Sequence, residues 1–376
     1  MRGRVPPRAL LGVLALAACA PARGASYERS VAEASAAHHD GRFAEAAMRY
    51  EEAAKSAKVP RDAVYRRYTA ALDWIRAGDI GRGTAELRTI ARAKPPNEYS
   101  PQAAFQVARL TRRGDNAAGL AALEAVLLEF PNSGVAQVAL WHLLQEDDAA
   151  GPELALAHLE RLTPRVNGTG VEENVAYERA RHLDTLGRTE QARDAYLDTA
   201  ARFPYPTGAF NDNSLFRAAE MEDKLGQRQR AIALLQRLLS QREVSGFVGT
   251  YERPQYRPAL LKIVELYERS GDRASARAAL HRVYTELTTS TVRDDALWRE
   301  AALWRQDGDA ATACARLSTL ATDFPDSRYV PCATQHCPSV KRSAKSKAPA
   351  TCHAYLKEPS GSGSESQATT HEHLTR

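Results

Sequence analysis

Apolar positions along this chain recur in a fixed pairing, a small residue followed four places later by a large one. The pairs are Ala46 and Tyr50, Gly83 and Leu87, Gly119 and Leu123, Ala192 and Tyr196, Ala231 and Leu235, Ala276 and Leu280, and Ala313 and Leu317. Five residues before each small member stands a glycine, and seven before the glycine a small or aliphatic residue: Ala34, Ala71, Val107, Ala180, Ala219, Val264 and Ala301. Leu144, Gly151, Ala155 and Leu159 form one more copy, short by one position. Spacings of four and seven put side chains on one face of a helix. Each copy therefore predicts a first helix, a turn at the glycine and a second helix. The small residue lets the two helices approach, and the large one fills the space beside it.

The turn glycines are Gly41, Gly78, Gly114, Gly151, Gly187, Gly226, Gly271 and Gly308, separated by 37, 36, 37, 36, 39, 45 and 37 residues. A period of this length marks stacked helix pairs, each unable to bury its apolar face without the next. Seventeen residues after four of these glycines comes a proline (Pro95, Pro131, Pro204 and Pro325), which closes the second helix. Two gaps are stretched, and the extra residues fall at 204–213 and 242–257. The second of these holds Gly246, Gly249, Tyr251, Pro254 and Tyr256 and is too rich in breakers for helix. Insertions in stacked repeats fall in loops, where binding is sought first.

Small at position 8, bulky at 11, small at 20, bulky at 24 and proline at 32 is the pattern of the tetratricopeptide repeat, which the chain resembles over residues 27–331. The resemblance implies an all-α fold, a right-handed α-solenoid of about eight helix-turn-helix repeats. It also implies partner proteins held in a groove rather than a catalytic pocket. Trp74, Trp141, Trp298, Trp304, Tyr267 and Phe216 lie near the packing positions of first helices and are expected in the core or the groove wall. His38-His39-Asp40 falls at the turn before Gly41, where adjacent histidines point in different directions and make a poor metal pair, while Asp147-Asp148 and Glu172-Glu173 flank loops and read as solvated charges or helix-terminal acids.

The N-terminus carries a different signal. Arg2, Arg4 and Arg8 precede an apolar run at 9–18 that is too short to span a bilayer and reads as a secretory signal. It ends Leu16-Ala17-Ala18-Cys19, which resembles the lipobox of bacterial lipoproteins. That resemblance implies signal-peptidase recognition of Leu16, Ala17 and Ala18, removal of residues 1–18 and lipidation of Cys19. Residues 19–26 would then be a short lipidated tether. Ala20, where aspartate would resemble an inner-membrane retention signal, favours the outer membrane, with the body facing the periplasm. An ordinary signal peptide with an incidental cysteine is the alternative.

Cleavage also changes the charge balance. The whole chain is +5, and residues 1–18 hold three arginines and no acid, which leaves +2. A surface so evenly balanced gives no footprint for nucleic acid. Among residues 332–376, Lys341, Arg342, Lys345 and Lys347 form a basic stretch and 360–366 is rich in Gly and Ser, so this segment is expected to be a cysteine-containing, largely disordered tail.

With Cys19 lipidated, Cys314, Cys332, Cys337 and Cys352 remain. In an oxidising compartment they suggest disulfides, with three pairings open, one of which would staple the end segment to the final repeat. The alternative is a metal held by Cys332, His336, Cys337, Cys352 and His353, a spacing that matches no zinc module. There is no C-x-x-C-H for heme, no phosphate-cradling glycine loop, no G-x-S-x-G and no H-E-x-x-H. No catalytic residue, metal site or cofactor is predicted.

Repeat ends narrow the resemblance. Phe130-Pro131-Asn132-Ser133 and Phe324-Pro325-Asp326-Ser327 share an F-P-[ND]-S junction, with a degenerate copy at Phe203-Pro204-Tyr205-Pro206. The aromatic packs a helix end, proline stops it, and Asn or Asp with Ser supplies turn and N-cap groups. Such junctions resemble those of envelope tetratricopeptide proteins, including the lipoprotein of the outer-membrane β-barrel assembly machinery and the Tol/Pal-associated periplasmic coordinator. About eight repeats and a cysteine-bearing tail exceed the first of these patterns. The implied function is a lipid-anchored periplasmic scaffold or adaptor that binds proteins of a cell-envelope complex through its solenoid groove. A non-catalytic, peptidoglycan-related polymer- or ligand-binding lipoprotein is the alternative. A cell-wall enzyme would need a catalytic domain, and only 45 residues follow Pro331.

Overall fold

The computed structural model describes residues 24–241, 253–353 and 356. Leu16, Ala17, Ala18 and Cys19, most of the 242–257 insertion and the 360–366 run lie outside these residues. The chain divides into two compact units, Met1–Ala195 and Tyr196–Arg376. The first holds α1 (Ala25–His39), α2 (Phe43–Ser56), α3 (Pro60–Arg76), α4 (Ile80–Ala91), α5 (Ser100–Gly114), α6 (Asn116–Glu129), α7 (Gly134–Ala150), α8 (Pro152–Leu162) and α9 (Glu172–Thr185). The division falls within α10 (Thr189–Arg202). The second unit continues with α11 (Asn211–Lys224), α12 (Arg228–Leu239), α13 (Tyr256–Ser270), α14 (Arg273–Glu286), α15 (Arg293–Gln306), α16 (Ala310–Asp323) and α17 (Val330–His336). Odd-numbered first helices alternate with even-numbered second helices as far as α16, and no strand occurs among the described residues.

The pairs of small and large residues are where the helices meet. Ala46, Gly83, Gly119, Ala155, Ala192, Ala231, Ala276 and Ala313 are all buried, as are the partners four places on. Leu87, Leu123, Leu159, Leu235 and Leu317 are wholly enclosed, each contributing about 1.5–3 kcal/mol relative to exposure. The approach is closest at the two glycines. A Cβ on Gly83 would stand 2.5 Å from the Ala71 carbonyl oxygen, and one on Gly119 would overlap the Arg112 backbone.

Gly226 shows why glycine recurs at the turn. At φ 75° it lies in the left-handed region, and its N–H donates to the Asp223 carbonyl while the Gln227 N–H reaches back to that of Glu222. These two bonds form a Schellman cap and satisfy carbonyls that the helix end leaves bare. The same pair of bonds recurs at Gly41, Gly78, Gly187, Gly271 and Gly308. Gly151 is different, a single residue at φ 140° that joins α7 directly to α8, and the shorter link accounts for the one-position slip of Ala155 and Leu159.

Gly114 is not a turn. It is the last residue of α5, and the one-residue link is Asp115, whose extended backbone needs no glycine and whose carboxylate caps α6 by accepting from the Ala118 N–H at 2.9 Å. The register of α5 shifts with it. Ala108 is wholly buried, and Val107, assigned to that place by counting from Gly114, is only half-buried.

The F-P-[ND]-S junctions do their work differently from a simple N-cap. Ser133 precedes α7 without capping it and donates instead to the Phe130 carbonyl at 2.8 Å. Asn132 and Asp326 reach forward, accepting from the backbone N–H of Gly170 and Lys347, both at 2.6 Å. Each junction thus ties a repeat end to a segment further along the chain.

Beyond Pro331 the packed body continues. Val340, Ala348 and Cys352 are buried with Leu297, Trp298, Leu317, Leu320 and Tyr329. Disulfides join Cys314 to Cys337 and Cys332 to Cys352. The segment 332–352, assigned by composition to the tail, is therefore a cap on the final hairpin, joined to α16 by Cys314–Cys337, closed on itself by Cys332–Cys352 and packed on a shared apolar cluster.

Candidate protein-interaction groove

On α7 the buried stripe is Ala136, Ala139, Leu140, Leu143 and Leu144. Each helical step turns about 100°, so Gln137, Trp141, Gln145 and Asp148 lie off that stripe. Trp141 is 55% exposed and Val138 42%. Of the two places expected of Trp141, core or groove wall, the exposed one is found: it lines a cleft. Trp74 and Trp298 are buried as expected, while Trp304, Tyr267 and Phe216 are half-buried.

A cleft of about 220 Å³ lies between the first helices α7 and α9. Trp141, Gln137, Gln145 and Asp148 line one wall, and Asn174, Glu178 and Arg181 the other. Arg181 is held by Glu178 at 2.6 Å and Asp148 at 3.5 Å. Burial alone would lower its pKa, but these carboxylates outweigh burial and the guanidinium is raised.

A second cleft, of about 340 Å³, lies on the α5 side of α7. It is lined by Arg109, Arg112, Arg113, Asn116, Leu123 and His142. Arg112 is committed, pairing with Glu146 and donating to Asn116 at 2.9 Å. Among the described residues, no carboxylate lies within ion-pair distance of Arg109 or Arg113. Burial first, then Arg112 and Arg109, pushes the His142 imidazole below its ordinary pKa. The Trp141 and His142 rings meet edge to face at 4.8 Å, so the two clefts share a wall. On α3, Tyr65 is exposed, stacks on Tyr99 at 5.3 Å and lies under the Arg66 guanidinium.

The acid and histidine runs flanking the turns are braces between helices. His38 bonds the buried Asp73 at 2.9 Å, Asp147 bonds His158 at 2.6 Å, and Asp148 bonds His182 at 2.7 Å. Glu172 is buried and accepts from the Gly168 N–H at 2.8 Å. Asp148 stays exposed and Glu172 and Glu173 open α9 as helix-terminal acids, but Glu172 is buried rather than solvated. A buried carboxylate needs donors, and the histidine or backbone N–H of a neighbouring segment provides them.

The stretched gaps meet at their described ends. Arg253 donates to the carbonyls of Gly208 at 2.8 Å and Pro206 at 2.7 Å and lies over the Tyr205 ring, while Gln255 donates to Asn213 at 2.7 Å. Here the described insertion residues serve packing. With all four sulfurs paired to each other, the alternative Cys and His metal set has no thiolate left to offer.

Helix pairs locked by small and large residues, Schellman turns at a fixed period and an exposed face on the first helices define a tetratricopeptide-repeat solenoid. That fold serves as a scaffold for protein–protein interaction and is typically not catalytic. The tetratricopeptide repeat family profile matches residues 213–242, 258–286 and 295–327, which cover most of the hairpins α11/α12, α13/α14 and α15/α16. No curated protein matches the chain. Among solved structures, PilW, a widely conserved type IV pilus biogenesis factor, is similar at 18% identity and TM-score 0.36, covering 61% of this chain and 96% of its own. Pseudomonas aeruginosa PilF is similar at 16% identity and TM-score 0.37, covering 64% and 97%. The C-terminal part of a repeat protein from Cytophaga hutchinsonii is similar at 12% identity and TM-score 0.41, covering 70% and 98%. At these scores none adds to what the helices themselves establish.

Proposed function

We propose that this protein is a lipid-anchored scaffold on the periplasmic side of the outer membrane, binding proteins of a cell-envelope complex through the first-helix groove of its N-terminal unit. One observation carries the binding role: Trp141 stands exposed between two clefts on α7. Large aromatics set among polar walls are the anchors on which protein interfaces concentrate their energy. The anchor rests on the sequence Leu16-Ala17-Ala18-Cys19 behind an arginine-led apolar run. The pairing of the other four cysteines suits an oxidising compartment. The junctions at Phe130 and Phe324 favour the envelope-assembly class, of the β-barrel or Tol/Pal kind.

Crosslinking in intact cells, followed by mass spectrometry, tests the binding role. Envelope proteins recovered with the native chain and lost with Trp141→Ala are the expected result. Recovery of peptidoglycan instead, with no protein adduct, would replace the scaffold reading with that of a polymer-binding lipoprotein. The anchor is tested by metabolic labelling with an alkyne fatty acid. Label is expected on the native protein and absent from Cys19→Ser, and equal labelling of both would refute lipidation at this site.

A further inference from the structure

Charge is nearly balanced over the whole chain but not over the cap on the final hairpin. Residues 327–353 contain no Asp or Glu, and Lys341, Arg342, Lys345 and Lys347 crowd into one short stretch of them. All four are exposed, and among the described residues no carboxylate lies within ion-pair distance of any of them. We infer that this face of the cap docks on a membrane surface rich in anionic phospholipid. Such a contact involves the C-terminal unit alone and requires neither the groove nor lipidation of Cys19.

The basic stretch is held in place. The Cys332–Cys352 disulfide closes the loop that carries it, and Cys314–Cys337 ties that loop to α16. Val340 and Ala348, which bracket the four cations, are buried in the apolar cluster beneath. Between them the Ser346 hydroxyl donates to the Pro325 carbonyl, and the Lys347 backbone N–H donates to Asp326 at 2.6 Å. Asp326, the acid bonded to this stretch, offsets one of its charges. The backbone is thus fixed while the lysine side chains stay in solvent. A surface already ordered loses less of its attraction to entropy on binding.

The side chains select the kind of anion. Arginine is the residue that forks onto a single carboxylate or phosphate. Here Arg342 is spent on the backbone of the cap itself, donating to the Pro349 carbonyl at 2.8 Å and to that of Ala348. The three lysines are point charges on flexible stems. Their attraction is summed over many headgroups rather than read from one, and each basic residue near an anionic leaflet strengthens binding about fivefold. A cell-wall polymer offers separate carboxylates, for which no free fork is left. A single-stranded nucleic acid uses aromatic faces to stack its bases, and residues 332–352 hold no Phe, Tyr or Trp.

The test is cosedimentation of the intact chain, carrying Cys19→Ser so that no acyl chain contributes, with vesicles of phosphatidylglycerol in phosphatidylcholine. Binding that weakens with salt is expected, since the screening length falls to about 3 Å at 1 M. Lys341→Gln/Lys345→Gln/Lys347→Gln should weaken it about a hundredfold, the product of three fivefold steps. Lys341→Arg/Lys345→Arg/Lys347→Arg should bind as the parent chain does, and melting temperatures check the fold of both variants. Four results would overturn the inference. The first is equal binding to pure phosphatidylcholine, and the second is an affinity unchanged by the glutamine variant. The third is tighter binding of a single-stranded oligonucleotide or of peptidoglycan fragments than of the vesicles. The fourth is displacement by inorganic phosphate beyond that by chloride at equal ionic strength, which would mark a phosphate pocket instead of a surface. None of these results bears on the groove, which crosslinking in cells tests separately.

Discussion

Of two glycines five residues apart, Gly114 lacks the turn role that spacing assigns to it, while Gly119 keeps its close-packing place. Gly114 has nothing within 4 Å of a built Cβ and no left-handed backbone, whereas a Cβ on Gly119 would overlap Arg112. Gly114→Ala should stabilise the protein by about 0.4–1 kcal/mol, by restricting the unfolded chain. Gly119→Ala should cost about 1–3 kcal/mol through overpacking. Chemical denaturation of the two variants checks the pair, and a loss of stability in Gly114→Ala would restore it as a turn residue. The period revealed the helix pairs because packing repeats it, but it could not tell a turn glycine from one ending a helix. What separates Gly114 from Gly226 is the link that follows, with Asp115 extended and the Gly226 turn closed by two back-reaching bonds.

Between elements, stability rests on links that cross from one hairpin to the next. Asp223 on α11 pairs with Lys262 at 3.1 Å and Arg269 at 2.8 Å, both on α13. Burial alone would raise its carboxyl, but Arg269 and Lys262 outweigh burial and hold it below 3.8. A depressed carboxylate stabilises the fold fully above its ordinary pKa and loses that contribution as pH falls through the folded value. Acid unfolding should therefore begin below about pH 4 in part through this group. Asp223→Asn should flatten the acid limb of melting temperature against pH, and an unchanged limb would show that the bridge contributes nothing.

The terminal cap gives a second test at this scale. The two disulfides close loops with sequence separations of 23 and 20, each worth about 3 kcal/mol on the chain-entropy view. Reduction should destabilise the last hairpin and expose Trp298, shifting its fluorescence to the red. No shift would mean that the cap holds by apolar packing alone. The sequence left three pairings open because the choice depends on where α17 places Cys332 and Cys337, a tertiary matter that spacing does not encode.

Across the whole molecule, the solenoid class was legible because packing positions repeat eight times. Which side chains face the groove was not, since Trp141 differs from its buried neighbour Leu140 by one helical step. That Arg109 and Arg113 have no carboxylate within ion-pair distance among the described residues depends on which acids the fold brings near. The run Arg109, Arg112 and Arg113 at the end of one first helix was the available signal, masked by the even charge of the whole. The central claim, a scaffold that holds envelope proteins on its first-helix face, is tested most directly by a photo-crosslinking residue placed at 141 in living cells, with one at the exposed second-helix position 160 as control. Discrete adducts with envelope proteins from 141 and none from 160 are predicted. No adduct at 141, or the same adducts from both positions, would contradict it.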